Sequence, residues 1–453
     1  MNPNAPAMGI QHTKSCRMIA LALWLAGLVL TQARPDAFLE CGTMIGHTGP
    51  SDARIWAKSS RAARLSVKIS ANEDLSKSRT VRGPKLEAGS DYAGHVLIPG
   101  LKPSQKYFYC VLLDGKPAMV RPYPSFHTSP PLGEKGRVRF AFTSCLGRDG
   151  FLPAAGWADM SRTEFDFVLL LGDNHYADST EPVKLRAAYY DHRSSWSWQE
   201  IARSTPVYAI WDDHDYGPND SDGTTKGKEG SLATFTQFWA NAAYGEPDNP
   251  GIYHKLTRRD VDFFLLDVRY HRTPNRATNV ANKTMLGARQ MAWLKRELLA
   301  SRAPIKFIAS GSEWQTDGHA DSWKSFLRER QEIFDFIREH KISGVILISG
   351  DRHFTGGYHI QRRFLEVTVG PLGARNFPTK NLPEMFLNQS EGKLYCIFDV
   401  NTALTPPAVT LEVYRAGDGL IETRKFTWDE IEGVTPIPPL PPSPTNSPSP
   451  GPR

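Results

Sequence analysis

The sequence predicts an α/β protein in which a small β-sandwich precedes a larger layered core. Short alternating segments rich in β-branched and aromatic residues fill residues 38–127. Nearly continuous apolar runs recur from residue 138 onwards, and helical patterns separate some of them. Such runs are typical of strands buried on both faces of a sheet that helices cover. The 453 residues, 40% hydrophobic and 23% charged, have ordinary globular composition and suffice for two or three domains.

The first 33 residues predict a signal peptide. Lys14 and Arg17 precede an apolar core, "MIALALWLAGLVL" at 18–30, and small residues follow at 31–33. The apolar core is short for a membrane span, so we expect cleavage rather than anchoring. Because the basic stretch reads "KSCR" and lacks paired arginines, we expect export in the unfolded state. The mature protein is expected to be secreted, periplasmic or on the cell surface.

Residues 34–130 predict the β-sandwich, of the fibronectin type III kind. Strands are expected in "ARIWAK" (53–58), "RLSVKIS" (64–70) and "KYFYCVLLDG" (106–115). The Pro- and Gly-rich segment "TSPPLGEKG" at 128–136 predicts a linker.

Residues 135–430 predict the α/β domain. Helices are expected at 288–301 and 328–340, and further strands in "FLEVTVGPLG", "KLYCIFDV" and "AVTLEVYRAG". Six apolar runs predict buried strands: 138–145, 165–174, 206–215, 261–269, 305–314 and 343–353. The tail at 435–453 holds nine prolines and is expected to be disordered or extended, either an inert tail or a surface spacer.

Charge and cysteine content exclude some classes of protein. The net charge of +6 is spread along the chain without a basic block, so no specific nucleic-acid partner is predicted, although an anionic substrate would meet a favourable field. Cys16 lies in the signal peptide, and the four remaining cysteines are too few for a disulfide scaffold in so long a chain. One disulfide is possible, with Cys41 and Cys110 as the first guess.

Five of the six apolar runs end in residues that bind metals. Because the carboxyl ends of parallel strands share one edge of a sheet, these residues are expected to converge there. Each alone has an ordinary explanation, such as a helix cap for Asp173 or a buried small side chain for Cys145. Their recurrence favours a metal site, since clustered charges away from water are costly. They are Cys145; Asp173, Asn174, His175 and Tyr176; Asp212, Asp213 and His214; the segment 310–314; and Asp351 with His353.

The donor types leave two kinds of metal open. A thiolate, a phenolate and an imidazole favour a transition metal, with iron(III) if Tyr176 is a ligand. Carboxylate and amide oxygens favour calcium, manganese or magnesium. A mixed site bridged by Asp173 would use both sets, and two neighbouring ions suit in-line attack at phosphorus.

These residues carry a resemblance to a known family. "SC" (144–145), "GDNHY" (172–176), "WDDHDYGPND" (211–220), "DSW" (321–323) and "SGDRH" (349–353) occur in this order. Together they resemble the alkaline phosphatase D (PhoD-like) family, an exported branch of the calcineurin-like metallophosphoesterases. The resemblance covers residues 40–428, including the opening "TMIGHTGPSDARIWAK" at 43–58. It implies a four-layer αββα metallophosphoesterase core behind the fibronectin-like sandwich.

The resemblance also implies roles for individual residues. Cys145, Asp173, Tyr176 and His353 would hold Fe3+, and Asp173 would bridge to Ca2+ shared with Asp213 and Asp351. His214 would contact the phosphate and protonate the leaving oxygen, with Asp215 orienting it and Arg148 clamping a phosphate oxygen. Asn174 is a further candidate metal ligand, and Asp212, Asn219 and Asp220 are candidates for supporting roles or an extra calcium. His175 and His319 are additional imidazoles that could bind metal or phosphate.

The implied function is that of an exported hydrolase acting on phosphoric esters. It would cleave phosphomonoesters, phosphodiesters or both with a hydroxide activated by metal. The twin-arginine signal common in the family is missing, so Mn2+, Mg2+ or Zn2+ could replace the two ions. A phospholipase D-type diesterase with a lipid substrate is one alternative, and a non-catalytic surface-binding protein is another. We expect a monomer.

Overall fold

The computed structural model describes residues 36–148, 153–278, 280–315, 319–382, 384–435, 438 and 440. The predicted signal peptide and most of the proline-rich tail lie outside these residues. By its contacts, the chain from Ala37 onwards forms one unit. Among the described residues, no helix combines the length and the apolar character needed to cross a bilayer.

The N-terminal strands form two small facing sheets. One has the order β1-β2-β5, and the other the order β4-β3-β6-β7 with β8 beside β6. Alternate side chains such as Ile55, Val67 and Val111 fill the core between them. The strands are β1 Leu39–Thr48, β2 Asp52–Ser59, β3 Ala63–Ser70, β4 Arg79–Leu86, β5 Ala93–Pro99, β6 Lys106–Leu113, β7 Lys116–Pro117 and β8 Ser125–His127.

Two larger sheets follow. The first sheet has the order β11-β10-β9-β19-β20-β21, and the second has the order β12-β13-β14-β15-β17-β16-β18. Their strands are β9 Arg137–Thr143, β10 Phe167–Leu171, β11 Val207–Ile210, β12 His254–Arg258, β13 Val261–Leu265, β14 Ile305–Ser310, β15 Val345–Ser349, β16 Thr355–Ile360, β17 Phe364–Thr368, β18 Met385–Gln389, β19 Leu394–Asn401, β20 Ala408–Arg415 and β21 Gly419–Phe426.

Parallel pairing aligns the strands that carry the site. In the first sheet β9, β10 and β11 run parallel, whereas β19 returns antiparallel to β9. In the second sheet β13, β14, β15 and β17 run parallel. The carboxyl ends of both parallel sets therefore provide one edge each on which loops collect.

The helices complete four layers. The inner faces of the sheets meet through aromatic rings, with Phe140 edge-on to Phe263 and Phe307 at 4.9 Å each. On the outer face of the second sheet, α6 and α7 bury Leu294 and Phe334. The helices are α1 Ala154–Met160, α2 Pro182–Arg193, α3 Trp196–Ala202, α4 Asp213–Tyr216, α5 Lys228–Phe238, α6 Gly287–Ala300, α7 Leu327–Glu339 and α8 Trp428–Ile431, with 3-10 turns at Ala88–Ser90, Val280–Asn282 and Trp323–Phe326.

The β-sandwich packs on the first sheet beside β11. The guanidinium of buried Arg258 donates to the carbonyl and hydroxyl oxygens of Thr48, both at 2.6 Å. On α2, Arg193 lies over the Trp56 ring at 4.2 Å. The Tyr208 hydroxyl on β11 also accepts from the Thr48 nitrogen at 3.1 Å, so the sandwich contacts the strand that leads into the 211–220 motif.

The predicted α/β core with a preceding β-sandwich is confirmed. The strands predicted from apolar runs and the two predicted helices are confirmed as well. Helix α5 begins at Lys228, so the polar segment after the 211–220 motif ends at Gly227. The suggested disulfide is wrong, because Cys41 and Cys110 are both free thiols that belong to different apolar clusters.

Candidate metal centre

The ligand-type residues lie at the carboxyl ends of strands from both sheets. Cys145 follows β9, Asp173 follows β10, Asp213 opens α4 after β11, and Asp351 and His353 follow β15. The strand ends crowd together at Gly350, where an added Cβ would lie 2.6 Å from the Leu171 carbonyl oxygen. The two sheets thus bring together residues up to two hundred positions apart in the chain.

Four of these residues have an unusual backbone. Cys145, Asp173, Asp351 and His353 have φ values of 55°, 53°, 71° and 56°. Non-glycine residues rarely adopt positive φ, at a cost of about 1–2 kcal/mol each. Such conformations concentrate at functional sites, where the surrounding structure holds them. Here the turns aim four side chains at one point.

Cys145, Asp173, Tyr176 and His353 form the first donor group. The Tyr176 hydroxyl lies 3.1 Å from Asp173 Oδ2 and 2.9 Å from His353 Nε2, and Cys145 Sγ lies 3.5 Å from Asp173 Oδ2. The ring of His353 donates from Nδ1 to the Arg375 carbonyl oxygen at 2.5 Å, which leaves Nε2 with a free lone pair. Burial lowers the pKa of His353 to about 4, so its ring stays neutral as a ligand requires.

Asp173, Asp213 and Asp351 belong to a second, overlapping donor group. Ligating atoms of Asp173, Asp213 and His214 lie within 4.8 Å of one another, as do those of Asp212, Asp213 and Asp351. Buried oxygens of Asp173, Asp213 and Asp212 lack a hydrogen-bond partner. Burial and the neighbouring carboxylates raise the pKa of Asp351 well above its usual range. Orphaned, mutually repelling oxygens are what a bound cation would satisfy.

Arginines neutralise only part of this acidic cluster. Arg269 is fully buried and pairs with Asp212 at 2.6 Å and with Asp321 at 2.7 Å, while Arg272 also contacts Asp321. These contacts hold the pKa of Asp321 below its usual range despite burial. Asp173 and Asp351 have no such partner among the described residues. The unpaired negative charge is therefore concentrated where the two donor groups overlap.

His214 is oriented by Asp178 and not by Asp215. Its Nδ1 donates to Asp178 Oδ1, and its ring lies 4.1 Å from that of Tyr176. Although burial favours the neutral ring, the charges of Asp173 and Asp213 and the bond to Asp178 raise the pKa of His214 to about 10. The predicted role of Asp215 is wrong because its carboxylate accepts from the backbone nitrogens of Asp212 and Asn174 in a capping box at α4.

Asn174 holds the loop after Asp173 through its amide nitrogen, which donates to Asp215 Oδ2 and to the Ile210 carbonyl oxygen. Its side chain lines a separate cavity of about 10 Å³ beside Arg193, and its buried Oδ1 has no hydrogen-bond partner among the described residues. Asn174 as a metal ligand therefore stays a prediction. His175 is buried edge-on to Tyr189 at 4.3 Å.

A cavity of about 740 Å³ opens above the donor groups. Arg148 stands at its rim with a 70% exposed side chain, 3.9 Å from Asp178, and His319 also lines it. The described lining residues are Gly147, Arg148, Tyr176, Asp178, Asp213, His214, Asn219, Asp220, His319, Asp351, Arg352, His353, Ala374, Arg375, Phe377, Pro378 and Thr379. Most of these are polar, so the cavity suits a charged substrate.

Sequence reasoning missed two parts of this site. Asp178 lies two residues after the 172–176 motif, yet spacing alone does not distinguish it from Asp215 as a partner for His214. Arg269 ends the fourth apolar run, the one run whose end the sequence analysis passed over. An arginine at the end of a buried strand, where the neighbouring strands end in carboxylates, was an available signal.

Comparison with known proteins agrees with this architecture. Residues 140–401 match the family model described as PhoD-like phosphatase, and residues 26–130 match its N-terminal domain. Alkaline phosphatase D of Bacillus subtilis (strain 168) is 24% identical over 333 residues, which are 62% of this chain and 56% of that protein. Purple acid phosphatase 23 of Arabidopsis thaliana is 22% identical over 302 residues, covering 62% and 60%. The chain thus spans little more than half the length of these relatives.

Two solved structures share the fold. A structure of PhoD superposes with a TM-score of 0.70 at 17% identity and covers 86% of this chain and 92% of that one. The purple acid phosphatase PPD1 of yellow lupin (Lupinus luteus) superposes with a TM-score of 0.64 at 12% identity, covering 86% and 75%. Since the family model alone matches more than half of the sequence, this chain belongs to the PhoD-like phosphatase family.

Proposed function

We propose that this protein is an exported metal-dependent phosphoesterase that hydrolyses phosphomonoesters, phosphodiesters or both. The observation that carries the proposal is the pair of overlapping donor groups, with orphaned buried oxygens, directly beneath a polar cavity. An unpaired acidic cluster of this kind is costly in a structural core, and a site for cations gives it a purpose. Family membership supports the reaction class.

The residues present fit two different ions. Cys145, Asp173, Tyr176 and His353 would hold Fe3+, because thiolate, phenolate and imidazole donors suit a transition metal. Asp173, Asp213 and Asp351 would hold Ca2+, for which Mn2+, Mg2+ or Zn2+ are the substitutes to consider. When bound, such ions supply Lewis-acid activation of water and neutralise charge on the phosphoryl group.

The side chains at the cavity floor and rim supply the remaining chemistry. His214 presents Nε2 to the cavity because Nδ1 is occupied by Asp178, so it would give its proton to the leaving oxygen. Arg148 is long, exposed and beside Asp178, where it would bind a phosphate oxygen of the substrate. The buried Arg269 would fix Asp212 and Asp213 in place.

The residue types of the cavity lining support a charged ester as the substrate. Among the described lining residues, only Gly147, Ala374, Phe377 and Pro378 are apolar. A phospholipase D-type enzyme would need a broader apolar approach for acyl chains. Export is supported by the basic start, apolar core and small residues of positions 14–33.

The first experiment compares p-nitrophenyl phosphate with bis-p-nitrophenyl phosphate, with elemental analysis of the same purified sample. We expect turnover together with bound iron and calcium, and the ratio of the two rates gives the mono- or diesterase preference. Asp173→Ala should abolish both turnover and metal retention. Metals without turnover of either ester, but with release of headgroups from phospholipid vesicles, would favour the lipase. Absence of metals and turnover after loading with both ions would favour a surface-binding protein.

A second experiment tests the assignment of Cys145. Cys145→Ser removes the thiolate donor but keeps the three oxygen donors of the other group, so iron content should fall at least tenfold while calcium is retained. Cys110→Ser, which changes a free thiol in the β-sandwich, is the matched control and should retain both metals. Unchanged iron in Cys145→Ser would contradict the assignment.

A further inference from the structure

A loop over residues 371–379 is fixed directly to the first donor group. The backbone nitrogens of Gly373 and Ala374 donate to the Cys145 carbonyl oxygen at 3.1 and 3.0 Å. The nitrogen of Phe377 donates to the His353 carbonyl oxygen at 3.0 Å, and the carbonyl oxygen of Arg375 accepts from the His353 ring. The loop therefore takes its position from two candidate metal ligands.

The side chains of this loop form a stack that extends outward from His353. The Phe377 ring lies nearly parallel to the His353 ring, with centroids 4.7 Å apart and an angle of 18° between them. The guanidinium carbon of Arg375 lies 4.8 Å from the Phe377 centroid. Both Phe377 and Arg375 are exposed to the main cavity. The stack thus holds the Arg375 guanidinium at the cavity wall, with the Phe377 ring between it and the candidate metal ligand His353.

The Arg375 guanidinium has no carboxylate partner among the described residues, unlike the other two arginines that line the cavity. Arg352, also in the cavity wall, pairs with the buried carboxylate of Glu313 at 3.2 Å. Arg148 lies 3.9 Å from Asp178. Within the part of the chain that the structure describes, the Arg375 guanidinium stacks on the Phe377 ring and forms neither a hydrogen bond nor an ion pair with another side chain. A guanidinium fixed by a ring and lacking an anion is free to bind one.

We propose that Arg375 is an anion subsite for a second negative group of the substrate, placed beyond the phosphate that is cleaved. This inference rests on the proposed function and deepens it. The substrate class would be phosphate esters whose alcohol or second ester arm carries a further phosphate, phosphonate or carboxylate. A guanidinium suits these groups because it donates two parallel hydrogen bonds to two oxygens.

The ring beneath Arg375 explains how the subsite would gain affinity. A flexible arginine loses side-chain entropy when it binds, and prior stacking on Phe377 reduces that loss. The anchoring of Phe377 on His353 keeps the distance between the two anion sites constant. The subsite would therefore select for the spacing between the two negative groups of the substrate and not only for their charge.

The test uses the metal-loaded full chain as the enzyme. Its substrates are a series of p-nitrophenyl phosphodiesters. The second ester arm is an alkyl chain of two, three or four carbons that ends in either a methyl group or a phosphonate, which the enzyme cannot hydrolyse. The variants are Arg375→Gln and Arg375→Lys. The matched control is Arg302→Gln, which removes the same charge just before β14, at the opposite end of that strand from the site.

For at least one chain length, we expect wild type to have a kcat/KM about tenfold or more higher for the phosphonate than for the methyl compound. Arg375→Gln should lose this preference and keep its kcat/KM for the methyl series within threefold, and Arg375→Lys should keep part of the preference. Arg302→Gln should behave as wild type. The preference should shrink as salt concentration rises.

The inference would be overturned by any of the following results. Wild-type cleavage with no preference at any chain length, or a full preference retained in Arg375→Gln, would refute the subsite while leaving the phosphoesterase intact. A loaded wild-type enzyme that cleaves p-nitrophenyl phosphate but none of these diesters would refute the subsite alone. A loaded enzyme that cleaves neither p-nitrophenyl phosphate nor any of the diesters would refute the proposed function, and the subsite with it. Iron and calcium analysis of each variant shows whether a lost preference comes from lost metal instead of lost charge.

Discussion

At the scale of single residues, neighbours decide what each carboxylate does. Asp178 precedes His214 in the chain and follows the 172–176 motif, whereas Asp215 comes directly after His214 within the 211–220 motif. The Asp178 carboxylate accepts a hydrogen bond from the His214 imidazole. The Asp215 carboxylate instead accepts from two backbone nitrogens and from the side-chain amide of Asn174. Asp212 is paired with Arg269, and Asp173 and Asp351 remain for cations. In one site, aspartate side chains therefore orient a histidine, cap a helix, pair with an arginine and provide candidate metal ligands.

The Asp178–His214 pair gives a prediction with a sign in pH. Asp178→Asn removes a negative charge from Nδ1, so the pKa of His214, now raised to about 10, should fall towards its ordinary value. Because the proposed proton donor must be protonated, the alkaline limb of kcat should move to lower pH. We expect kcat/KM to fall about tenfold to a hundredfold. The pH profile of kcat for both esters measures this.

Asp418→Asn serves as the control, because Asp418 forms an exposed pair with Arg415 in the turn between β20 and β21. It should leave the rate and the profile unchanged. A uniform loss of rate in Asp178→Asn without any movement of the alkaline limb would show that Asp178 only supports the loop.

At the scale of elements, the strand ends approach so closely that side chains are excluded between them. Gly350 follows β15, and an added methyl group there would lie 2.6 Å from the Leu171 carbonyl oxygen and 2.7 Å from Ser144 Cβ. Leu171 ends β10 and Ser144 follows β9, so both residues lie within two positions of a candidate ligand. The glycine is thus required for the two sheets to share one site.

Gly350→Ala is therefore expected to separate the strand ends. We expect a loss of about 1–3 kcal/mol in the free energy of unfolding, the usual cost of overpacking, and weaker retention of both metals. Denaturant unfolding and elemental analysis measure the two effects. Gly89→Ala, at a position with no atom within 4 Å of the added Cβ, should change stability by less than about 0.5 kcal/mol. Equal behaviour of the two variants would contradict the crowding argument.

The same packing explains which elements the sequence could predict. Continuous apolar runs revealed the central strands, because burial on both faces leaves a local pattern. Strand β16 was missed since it contains Gly356 and Gly357, which weaken a strand pattern. Added side chains there would clash with the rings of Phe354 and Phe386, so the glycines make room for one ring just before the strand and one on the neighbouring strand β18. That requirement arises only in the folded structure.

At the scale of the whole molecule, the carboxylates of the site come from both sheets. Their strand ends meet at one edge, so more negative charge collects there than either sheet alone would supply. The ligands predicted from strand ends converge because parallel strands end together. The partner of His214 and the loop with Arg375 were not predictable, since chain reversals outside the strands place them. The fold therefore gathers carboxylates whose mutual repulsion a bound cation would compensate.

This balance gives the last prediction, a reversal of sign for Asp351→Asn. In the metal-free protein, burial and four neighbouring aspartates raise the pKa of Asp351, so ionising it opposes folding. This penalty is absent at low pH and grows as the pH rises past the unfolded value. At pH 8 the neutral amide should therefore stabilise the metal-free protein, by about 1 kcal/mol or more. In the loaded protein the same change removes a ligand, and stability should fall.

Thermal unfolding of wild type and Asp351→Asn, each with and without chelator at pH 8, measures the reversal. We expect the variant to melt above wild type after chelation and below it after loading with iron and calcium. Asp335→Asn, on the exposed face of α7, should shift neither form. If Asp351→Asn lowered the melting temperature of both forms alike, Asp351 would support the fold independently of any cation, and the view that metals compensate a repulsive edge would fail.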